Sequence, residues 1–295
     1  MSLHLRVLGD CNLGCEFCSF PMRDHPWDLK RSIREAAASG EDYVQVSGGE
    51  PLIAPPLELI ALLRWLKDSG KTVELQSNGA VIPDYDEELL KRVVSLTDLF
   101  NLNFSAHTPE LDFEITRTPG AFALRERAVD RLLSLGAQVR LTYVVYARNL
   151  KVVDAFPDYA AARMPGISWI QFSFVKGMGR AKGSESLVPR HADAAPGLNR
   201  AMRRCGELGL RCEVDHIPVG YLPEFANQHV DTHKVFRDLD GYHRKDKEQT
   251  ECCSGCDFES SCPGVRKDYV EVQGGDWCRA GKIRLPAHSA GGARG

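Results

Sequence analysis

Short apolar runs punctuate the chain as far as about residue 180. Each run is rich in β-branched or aromatic residues and is followed by turn residues, as in the Ser47-Gly48-Gly49 segment. Runs of this length and composition predict buried strands. The predicted strands cover residues 3–8, 43–46, 72–75, 99–104, 139–146 and 167–175.

Apolar residues at helical spacing lie between these runs. Four leucines from Leu59 to Leu66 follow the i, i+3, i+4, i+7 pattern, and Gly70 favours a helix end after them. Similar periods predict helices over 86–96 and 124–135. Strands that alternate with helices predict an α/β fold, here a partial (β/α)6 TIM-like barrel with a parallel sheet. In such folds the functional groups lie in the loops that follow the strands.

The alternation weakens beyond about residue 180. Residues 202–210 have a helical pattern and 211–219 a strand-like one, whereas 227–251 is polar and histidine-rich and is interpreted as a loop. We therefore predict two domains. The first is a core barrel over residues 1–185, and the second is a small loop-rich cysteine domain over 186–295 with a frayed tail.

Composition and charge exclude several classes of protein. Hydrophobic residues make up 43% of the 295 residues, which excludes a disordered chain. Lysine and arginine number 37 against 40 acidic residues, so no basic excess attracts nucleic acid. No apolar stretch is long enough to span a membrane, and the N-terminus lacks the regions of a signal peptide. We therefore expect a cytoplasmic protein.

Ten cysteines are the unusual feature of the composition, and they are clustered. Three lie within residues 11–18, and seven lie from Cys205 onward. In a reducing compartment, clustered cysteines indicate metal binding rather than disulfides. Cys11, Cys15 and Cys18 directly follow the first predicted strand, and three thiolates on one loop can hold an iron–sulfur cluster with one iron left open. A zinc knuckle and unligated reduced thiols are the alternatives.

Two motifs together resemble the signature of the radical S-adenosylmethionine (SAM) enzymes. One is the CxxxCxxC loop, with Phe17 before its last cysteine, and the other is Gly48-Gly49-Glu50-Pro51 at the end of the second strand. The resemblance covers about residues 3–181 and implies that SAM and a [4Fe-4S] cluster are the cofactors. It implies that the three cysteines hold the cluster and that the glycines, which have no Cβ, approach the SAM amine. Glu50 is expected to orient that amine or to cap the loop.

The resemblance also assigns polar residues that follow later strands to the SAM site. Asn78, Ser105 and Asn149 follow the third, fourth and fifth predicted strands. Together with Phe17 and Pro51 they are expected to contribute to cofactor binding. Turn formation and helix capping are the alternative roles for the two asparagines.

Three further residues are the candidate catalytic groups. His107 follows the fourth strand, Arg117 lies in a Thr-Arg-Thr-Pro-Gly turn, and Lys176 begins the Lys-Gly-Met-Gly-Arg-Ala segment after the sixth strand. This last segment resembles the Gly-Arg-Ala ending of the family's barrel. A structural histidine is the alternative for His107, and a structural ion pair is the alternative for Arg117.

The C-terminal cysteines resemble part of the SPASM and twitch extensions of radical SAM enzymes. Cys253, Cys256 and Cys262 have C-x2-C-x5-C spacing, which implies an auxiliary [4Fe-4S] cluster. Cys278 is our first choice for its fourth ligand, followed by Cys212 and Cys252, and an open iron that binds substrate is a further alternative. Structural zinc is the other interpretation of this site.

His229 and His233 lie four residues apart and would share one face of a helix. Their polar surroundings favour a solvated loop over a metal site.

These assignments predict an enzyme that cleaves SAM reductively and abstracts hydrogen from a peptide or a small natural-product or nucleoside substrate. Oxidation or cross-linking of the substrate would follow. A flavodoxin or ferredoxin is the expected electron donor, and neither nucleic acid nor a membrane is an expected partner. Because the chain begins at the first barrel strand, a peptide substrate is expected to need a separate recognition protein.

Two alternatives remain at this stage. An epimerase would return a hydrogen atom from a thiol to the substrate radical, and Cys205 or Cys212 would serve if either faced the barrel mouth. The second alternative, from a different class, is a non-catalytic protein that binds an iron–sulfur cluster or zinc. An intact SAM motif disfavours it, because a scaffold needs no site for the SAM amine.

Overall fold

One parallel sheet is the main element of the computed structural model, which describes residues 2–21, 24–236 and 243–274. Its strands pair in chain order, and they are β1 (Ser2–Leu8), β2 (Tyr43–Gly48), β3 (Thr72–Ser77), β4 (Leu99–Asn103), β5 (Val139–Val145), β6 (Trp169–Phe174) and β7 (Cys212–Asp215). Among the described residues no pairing joins β7 to β1, so the sheet is open. The prediction of an α/β partial barrel is confirmed.

Helices connect the strands and pack on the sheet. They are α1 (Leu29–Ser39), α2 (Pro56–Asp68), α3 (Glu87–Ser95), α4 (Pro109–Thr116), α5 (Ala121–Ser134), α6 (Phe156–Arg163), α7 (His191–Glu207), α8 (Val230–Phe236) and α9 (Lys267–Gln273). A two-stranded antiparallel ribbon, β8 (Lys247–Glu248) and β9 (Val265–Arg266), lies near the C-terminus. Within the described ranges no helix is both long and apolar enough to cross a membrane.

The sheet continues beyond the six strands of the predicted core. β7 pairs with β6, with Ser173 opposite Asp215, and the long helix α7 packs against β7. The predicted boundary at residue 185 therefore does not coincide with the end of the sheet. The strand-like pattern over 211–219 corresponds to β7, which is short because Pro218 and a left-handed residue, His216, follow it.

Residues 227–251 are not a loop throughout, contrary to the prediction from their polar composition. Helix α8 occupies part of this segment, and His229 and Asp231 are buried. Asp231 forms an ion pair with the equally buried Lys247. Buried polar contacts, which apolar periodicity does not reveal, stabilise this region. Residues 237–242 lie outside the described residues.

The two faces of the sheet differ in polarity. Alternate residues such as Val44, Leu75 and Leu141 are fully buried in the core between sheet and helices. The other face carries polar side chains that meet at Glu74 on β3, which is 1% exposed. Its carboxylate accepts hydrogen bonds from Tyr43 Oη (2.7 Å), Gln76 Nε2 (2.9 Å), Asn101 Nδ2 (2.8 Å) and Arg140 Nη2 (2.6 Å). The interior of the curved sheet is therefore polar.

Arg125 on α5 connects three elements from a fully buried position. Its guanidinium forms an ion pair with Asp112 on α4 and donates to the Asn103 carbonyl at the end of β4. It also lies 4.7 Å from the centroid of the Phe104 ring. Arg125 thus fixes the position of α4 relative to β4.

Replacing Arg125 with methionine leaves the buried Asp112 carboxylate without its cation. We expect Arg125→Met to lower the free energy of unfolding by about 3–5 kcal/mol. Arg127→Met on the same helix is the control, because Arg127 is exposed and lies 3.6 Å from the exposed Asp84. A surface pair of this kind contributes about 1 kcal/mol or less. Urea unfolding followed by circular dichroism measures both variants, and equal losses would contradict this role.

Candidate active site

The three cysteines of the N-terminal motif lie on the loop that follows β1. Their thiols are within electrostatic range of one another, and the Cys11 sulfur accepts hydrogen bonds from Leu13 N at 3.5 Å and Asn78 Nδ2 at 3.6 Å. In the described part of the chain, no three histidine, cysteine or acidic side chains already converge at metal-binding distance. The backbone of the loop, rather than a preset arrangement of its thiols, is therefore what the fold fixes.

The glycine motif after β2 packs directly against this loop. Gly49 N donates to Leu8 O at 2.7 Å, and Glu50 N donates to Asp10 O at 2.8 Å. A Cβ on Gly48 would overlap Leu8 O, and a Cβ on Gly49 would overlap Asp10 O. Both glycines are thus required by the close approach of two backbone segments. This reason is separate from the expected approach of the glycines to the SAM amine.

Glu50 caps the short helical turn that follows the glycines, one of the two roles expected for it. Its fully buried carboxylate accepts hydrogen bonds from Leu52 N (3.0 Å), Ser77 Oγ (2.8 Å) and Asn78 N (2.7 Å). Burial raises the pKa of Glu50 to about 7, although these three donors act in the opposite direction. Glu50 therefore joins the loops after β2 and β3. Pro51, also buried, begins the turn.

The C-terminal end of α4 holds the other side of the cysteine loop. Gly14 N donates to Thr116 O at 2.8 Å, and Glu16 N donates to Ile115 O at 3.1 Å. These carbonyls belong to the last turn of the helix, where acceptors have no partner within the helix. The loop thus supplies the hydrogen bonds that the helix end lacks.

Glu16, between the second and third cysteines, is held by two arginines. Arg117 follows α4 in a left-handed conformation, and Arg148 follows β5. Both guanidiniums pair with the Glu16 carboxylate, and these contacts lower its pKa in spite of partial burial. In the structure Arg117 takes part in this ion pair. Glu16 and Arg148 were not singled out in the sequence, although Glu16 lies inside the motif itself.

The loop after β6 contacts the cysteine loop from a third side. Arg180 donates from its backbone N to Cys18 O at 2.9 Å and from Nη1 to Cys15 O at 2.8 Å. Gly179 packs against the same Cys18 carbonyl, leaving no room for a Cβ. The Gly-Arg-Ala segment noted in the sequence therefore positions the loop that carries Cys15 and Cys18.

Two other expected cofactor residues lie beside the cysteines. Phe17 is 9% exposed and packs edge-on against Tyr146, with 5.2 Å between ring centroids. It anchors the loop in the core. Asn78 donates to Asn12 Oδ1 at 2.8 Å and accepts from Ala80 N at 2.9 Å. Its amide thus joins the turn after β3 to the cysteine loop.

Ser105 and Asn149 connect the ends of β4 and β5. Asn149 is fully buried and donates to Ser105 O at 3.0 Å and to Val144 O at 2.8 Å, while its oxygen accepts from Tyr146 N. Ser105 Oγ accepts from Val144 N at 2.9 Å. These polar atoms therefore form hydrogen bonds with the backbone. Such bonds agree with turn formation, which was the alternative role for Asn149.

His107 has a free ring nitrogen near the end of β4. Its Nδ1 is buried and has no hydrogen-bond partner among the described residues, and burial lowers the pKa of this half-buried imidazole. A neutral histidine in this state can accept or donate a proton or hydrogen bond to a ligand.

The donor set and burial of the N-terminal site fit a [4Fe-4S] cluster. Burial raises the pKa of Cys15 to about 12 and also raises that of Cys11. A thiol that has lost part of its solvation becomes stable as a thiolate only when a cation compensates for that loss, and a metal cluster supplies this charge. Cys11, Cys15 and Cys18, on one fixed loop, could hold three irons of such a cluster.

The C-terminal cysteines lie between β8 and β9. Cys256 N donates to Cys253 O at 2.9 Å, which closes the CxxC turn. Backbone N–H groups of Val219 and Gly264 point at the Cys262 thiol, whose pKa is nevertheless raised by burial. Cys262 thus faces the segment that follows β7. Cys278 and the side chain of Cys252, two candidates for the fourth ligand, lie outside what the structure describes.

Cys205 and Cys212 form a separate buried pair behind the sheet. Cys205 is on α7, Cys212 begins β7, and their thiols are hydrogen-bonded to each other. The Cys212 sulfur also contacts Met202 O at 3.9 Å. Both thiols face the helix layer and not the barrel mouth. The epimerase alternative requires a thiol at the barrel mouth, and neither cysteine meets this requirement. The Cys212 thiol, another candidate for the fourth ligand, is thus engaged with Cys205.

Comparison with known families identifies this arrangement. Residues 5–151, which contain the cysteine loop and the glycine motif, match the model of the Radical SAM superfamily. The chain belongs to the radical SAM superfamily. It is accordingly an enzyme whose cofactors are SAM and a [4Fe-4S] cluster.

Individual relatives agree with this membership. The chain is 24% identical over 168 residues to a probable GTP 3′,8-cyclase from Methanococcus aeolicus, covering 54% of each protein. It is 25% identical over 227 residues to a PqqA peptide cyclase from Ruegeria pomeroyi, covering 73% of this chain and 58% of that enzyme. The chain therefore spans between half and three fifths of the length of these two relatives.

A solved structure shares the fold over most of the chain. It is anSMEcpe with bound AdoMet and the Cp18Cys peptide, with a TM-score of 0.67 and 14% identity, covering 90% of this chain and 89% of that one. The likeness includes the region beyond residue 185.

Gly49→Ala tests the backbone contact on which the radical SAM site depends. The new Cβ would overlap Asp10 O, so the loop that carries Cys11 must move. We expect the iron of the N-terminal cluster and all SAM cleavage to be lost after anaerobic reconstitution. Iron per chain and 5′-deoxyadenosine are the measurements.

Gly206→Ala is the matched control, because no heavy atom lies within 4 Å of a Cβ at this position on α7. Alanine also favours a helix over glycine by roughly 0.5–1 kcal/mol. Full iron loading of Gly49→Ala would contradict the proposed role of the contact.

Proposed function

We propose that this radical SAM enzyme oxidises or cross-links a peptide substrate after hydrogen abstraction. When bound, the cluster and SAM supply reductive cleavage of SAM to methionine and a 5′-deoxyadenosyl radical, which takes a hydrogen atom from the substrate. The observation that carries the proposal is the cysteine loop, which the glycine motif, α4 and Arg180 hold from three sides. That loop lies within the family match.

The residues of this chain position the cofactors. Cys11, Cys15 and Cys18 would hold the cluster, and the polar groups around Asn78 and His107 face the same end of the sheet. His107 is proposed as a group that contacts SAM or substrate, since its Nδ1 is free of partners within the described chain. Lys176 is proposed to contact substrate, because it follows β6 on the loop that also touches the cysteines.

Two kinds of relative support different substrates. A PqqA peptide cyclase and a structure with a bound peptide favour a peptide. A probable GTP 3′,8-cyclase favours a nucleotide or another small molecule, which is the second candidate. An electron donor such as a flavodoxin or ferredoxin is required by the chemistry in either case, and a peptide substrate would call for a separate recognition protein.

An auxiliary [4Fe-4S] cluster on the C-terminal cysteines is a further part of the proposal. Cys253, Cys256 and Cys262 lie on one short connection, and Cys278 is the proposed fourth ligand. Such a cluster would accept the electron that the oxidised substrate loses, or bind the substrate. Because neither Cys205 nor Cys212 faces the barrel mouth, we do not favour epimerisation through these thiols.

Cys15→Ala tests the N-terminal site. Removing one of three cluster ligands should abolish the formation of 5′-deoxyadenosine from SAM with dithionite as reductant, measured by liquid chromatography. Cys205→Ala is the control, since this thiol lies behind the sheet, and it should retain cleavage. Retained cleavage in Cys15→Ala would refute the assignment of the N-terminal cysteines.

Cys256→Ala tests the auxiliary site through metal content. We expect about eight irons per reconstituted wild-type chain and about four in Cys256→Ala. SAM cleavage should persist in the variant because the N-terminal loop is intact, whereas substrate oxidation should be lost. About four irons with one zinc in the wild-type chain would refute the auxiliary cluster and support structural zinc.

A further inference from the structure

Three arginines from different elements contact the cysteine loop and remain accessible to solvent. Arg117 and Arg148 form ion pairs with Glu16, and their side chains are 49% and 43% exposed. Arg180 is also exposed and donates from Nη1 to Cys15 O at 2.8 Å. The outer side of the loop is therefore lined by guanidinium groups.

The segments that carry these arginines are rich in positive charge. We call residues 15–18, 113–117, 148–152 and 178–182 together the arginine surface. It contains five basic residues, Arg117, Arg148, Lys151, Arg180 and Lys182, and two acidic ones, Glu16 and Glu114. The whole chain, by contrast, has a net charge of −3. A local positive excess of this kind attracts acidic partners and orients them.

Exposed apolar side chains occur on the same segments. Among the residues that the structure describes, five large hydrophobic side chains are exposed, and three of them, Phe113, Val152 and Met178, belong to the arginine surface. Phe113 is 47% exposed, and its carbonyl accepts from Arg117 N at 2.9 Å. Aromatic, methionine and arginine side chains are enriched in protein–protein interfaces. The composition thus favours a docking surface over a merely solvated one.

The position of the arginine surface indicates which kind of partner it would serve. Arg180 contacts the carbonyls of both Cys15 and Cys18, and Glu16 lies between these cysteines in the sequence. A protein docked on the arginines would therefore be separated from the cluster ligands by the cysteine loop alone. Reductive cleavage of SAM requires one electron, and electron transfer slows steeply with distance. A donor protein needs a position of this kind.

We propose that the arginine surface binds a small acidic electron-transfer protein, of the flavodoxin or ferredoxin type, which reduces the N-terminal cluster. The proposal rests on the proposed function and deepens it, because it names the surface that receives the required donor. One electron leaves the donor and enters the cluster, so the donor is oxidised and the cluster is reduced, and no atom is transferred.

The test uses two variants of the full chain, anaerobically reconstituted. Lys151→Glu reverses an exposed charge, and Phe113→Ser removes an exposed ring. Neither side chain forms a hydrogen bond or ion pair with the cysteine loop in the described structure, so both variants spare the contacts that hold this loop. Isothermal titration calorimetry at low salt measures the affinity for oxidised flavodoxin. Each variant should weaken it by about fivefold or more.

SAM cleavage gives a second readout on the same proteins. Dithionite is a small reductant that needs no docking surface, whereas reduced flavodoxin does. The amount of 5′-deoxyadenosine formed with flavodoxin, divided by the amount formed with dithionite, should fall in Lys151→Glu and Phe113→Ser. Because both amounts come from the same protein, a general loss of folding or of iron cancels in this ratio.

Arg204→Gln is the matched control. The Arg204 side chain is 40% exposed and pairs with Asp158 on α6, much as the 43% exposed Arg148 pairs with Glu16, but it lies outside the arginine surface. Its affinity for flavodoxin and its ratio should equal those of the wild-type chain. Added salt should weaken wild-type binding, because the Debye length shortens from about 30 Å at 0.01 M to about 10 Å at 0.1 M.

Several results would overturn the proposal. One is an unchanged affinity and ratio in both Lys151→Glu and Phe113→Ser, and another is an equally large loss in Arg204→Gln. Failure of the wild-type chain to bind either flavodoxin or a [2Fe-2S] ferredoxin is a third. Binding of a glutamate-rich peptide instead of these donors, weakened in Lys151→Glu, would assign the surface to an acidic substrate.

The two readouts separate this inference from the proposed function. A chain that cleaves SAM with dithionite but binds neither donor retains the proposed function and loses the docking surface. A chain that binds flavodoxin through the arginine surface but forms no 5′-deoxyadenosine with either reductant retains the surface and loses the function.

Discussion

The site depends on main-chain hydrogen bonds that surround the cysteine loop. Backbone groups of residues 8–18 pair with the glycine motif after β2, with the last turn of α4 and with Arg180 after β6. A loop that must present three thiols loses conformational entropy when it becomes ordered, and these contacts offset that loss before any cluster binds. Most of these contacts involve backbone atoms, so they restrict the residue type at few positions. Gly48 and Gly49 are the exceptions, because a Cβ at either position would overlap the neighbouring backbone.

The β6 loop couples the two cysteine-bearing regions. On one side Gly179 and Arg180 touch the carbonyl of Cys18, and on the other Gly177 and Met178 touch the start of α9 and Arg266. Four consecutive residues thus contact both regions, and the two glycines are needed because backbone approaches from opposite sides. A displacement of the C-terminal ribbon would be transmitted through this short segment to the cysteine loop.

The sequence predicted the elements whose signals are local. Strands with apolar runs, helices ended by glycine and the two motifs appear where the patterns placed them, because burial periodicity and cysteine spacing are encoded over a few residues. Helix α8 was missed because its stability comes from Asp231 and the distant Lys247. The ion pairs of Glu16 with Arg117 and Arg148 were missed for the same reason, since these arginines lie 101 and 132 residues from Glu16 in the sequence.

The polar interior of the sheet contains charges of two kinds. Around Glu74 the donors on four strands satisfy the carboxylate, and Arg140 is its counterion, so this group stabilises the sheet without any ligand. Lys176 and Lys234 differ from it, because burial opposes their charge while the nearby carboxylate of Asp215 favours it.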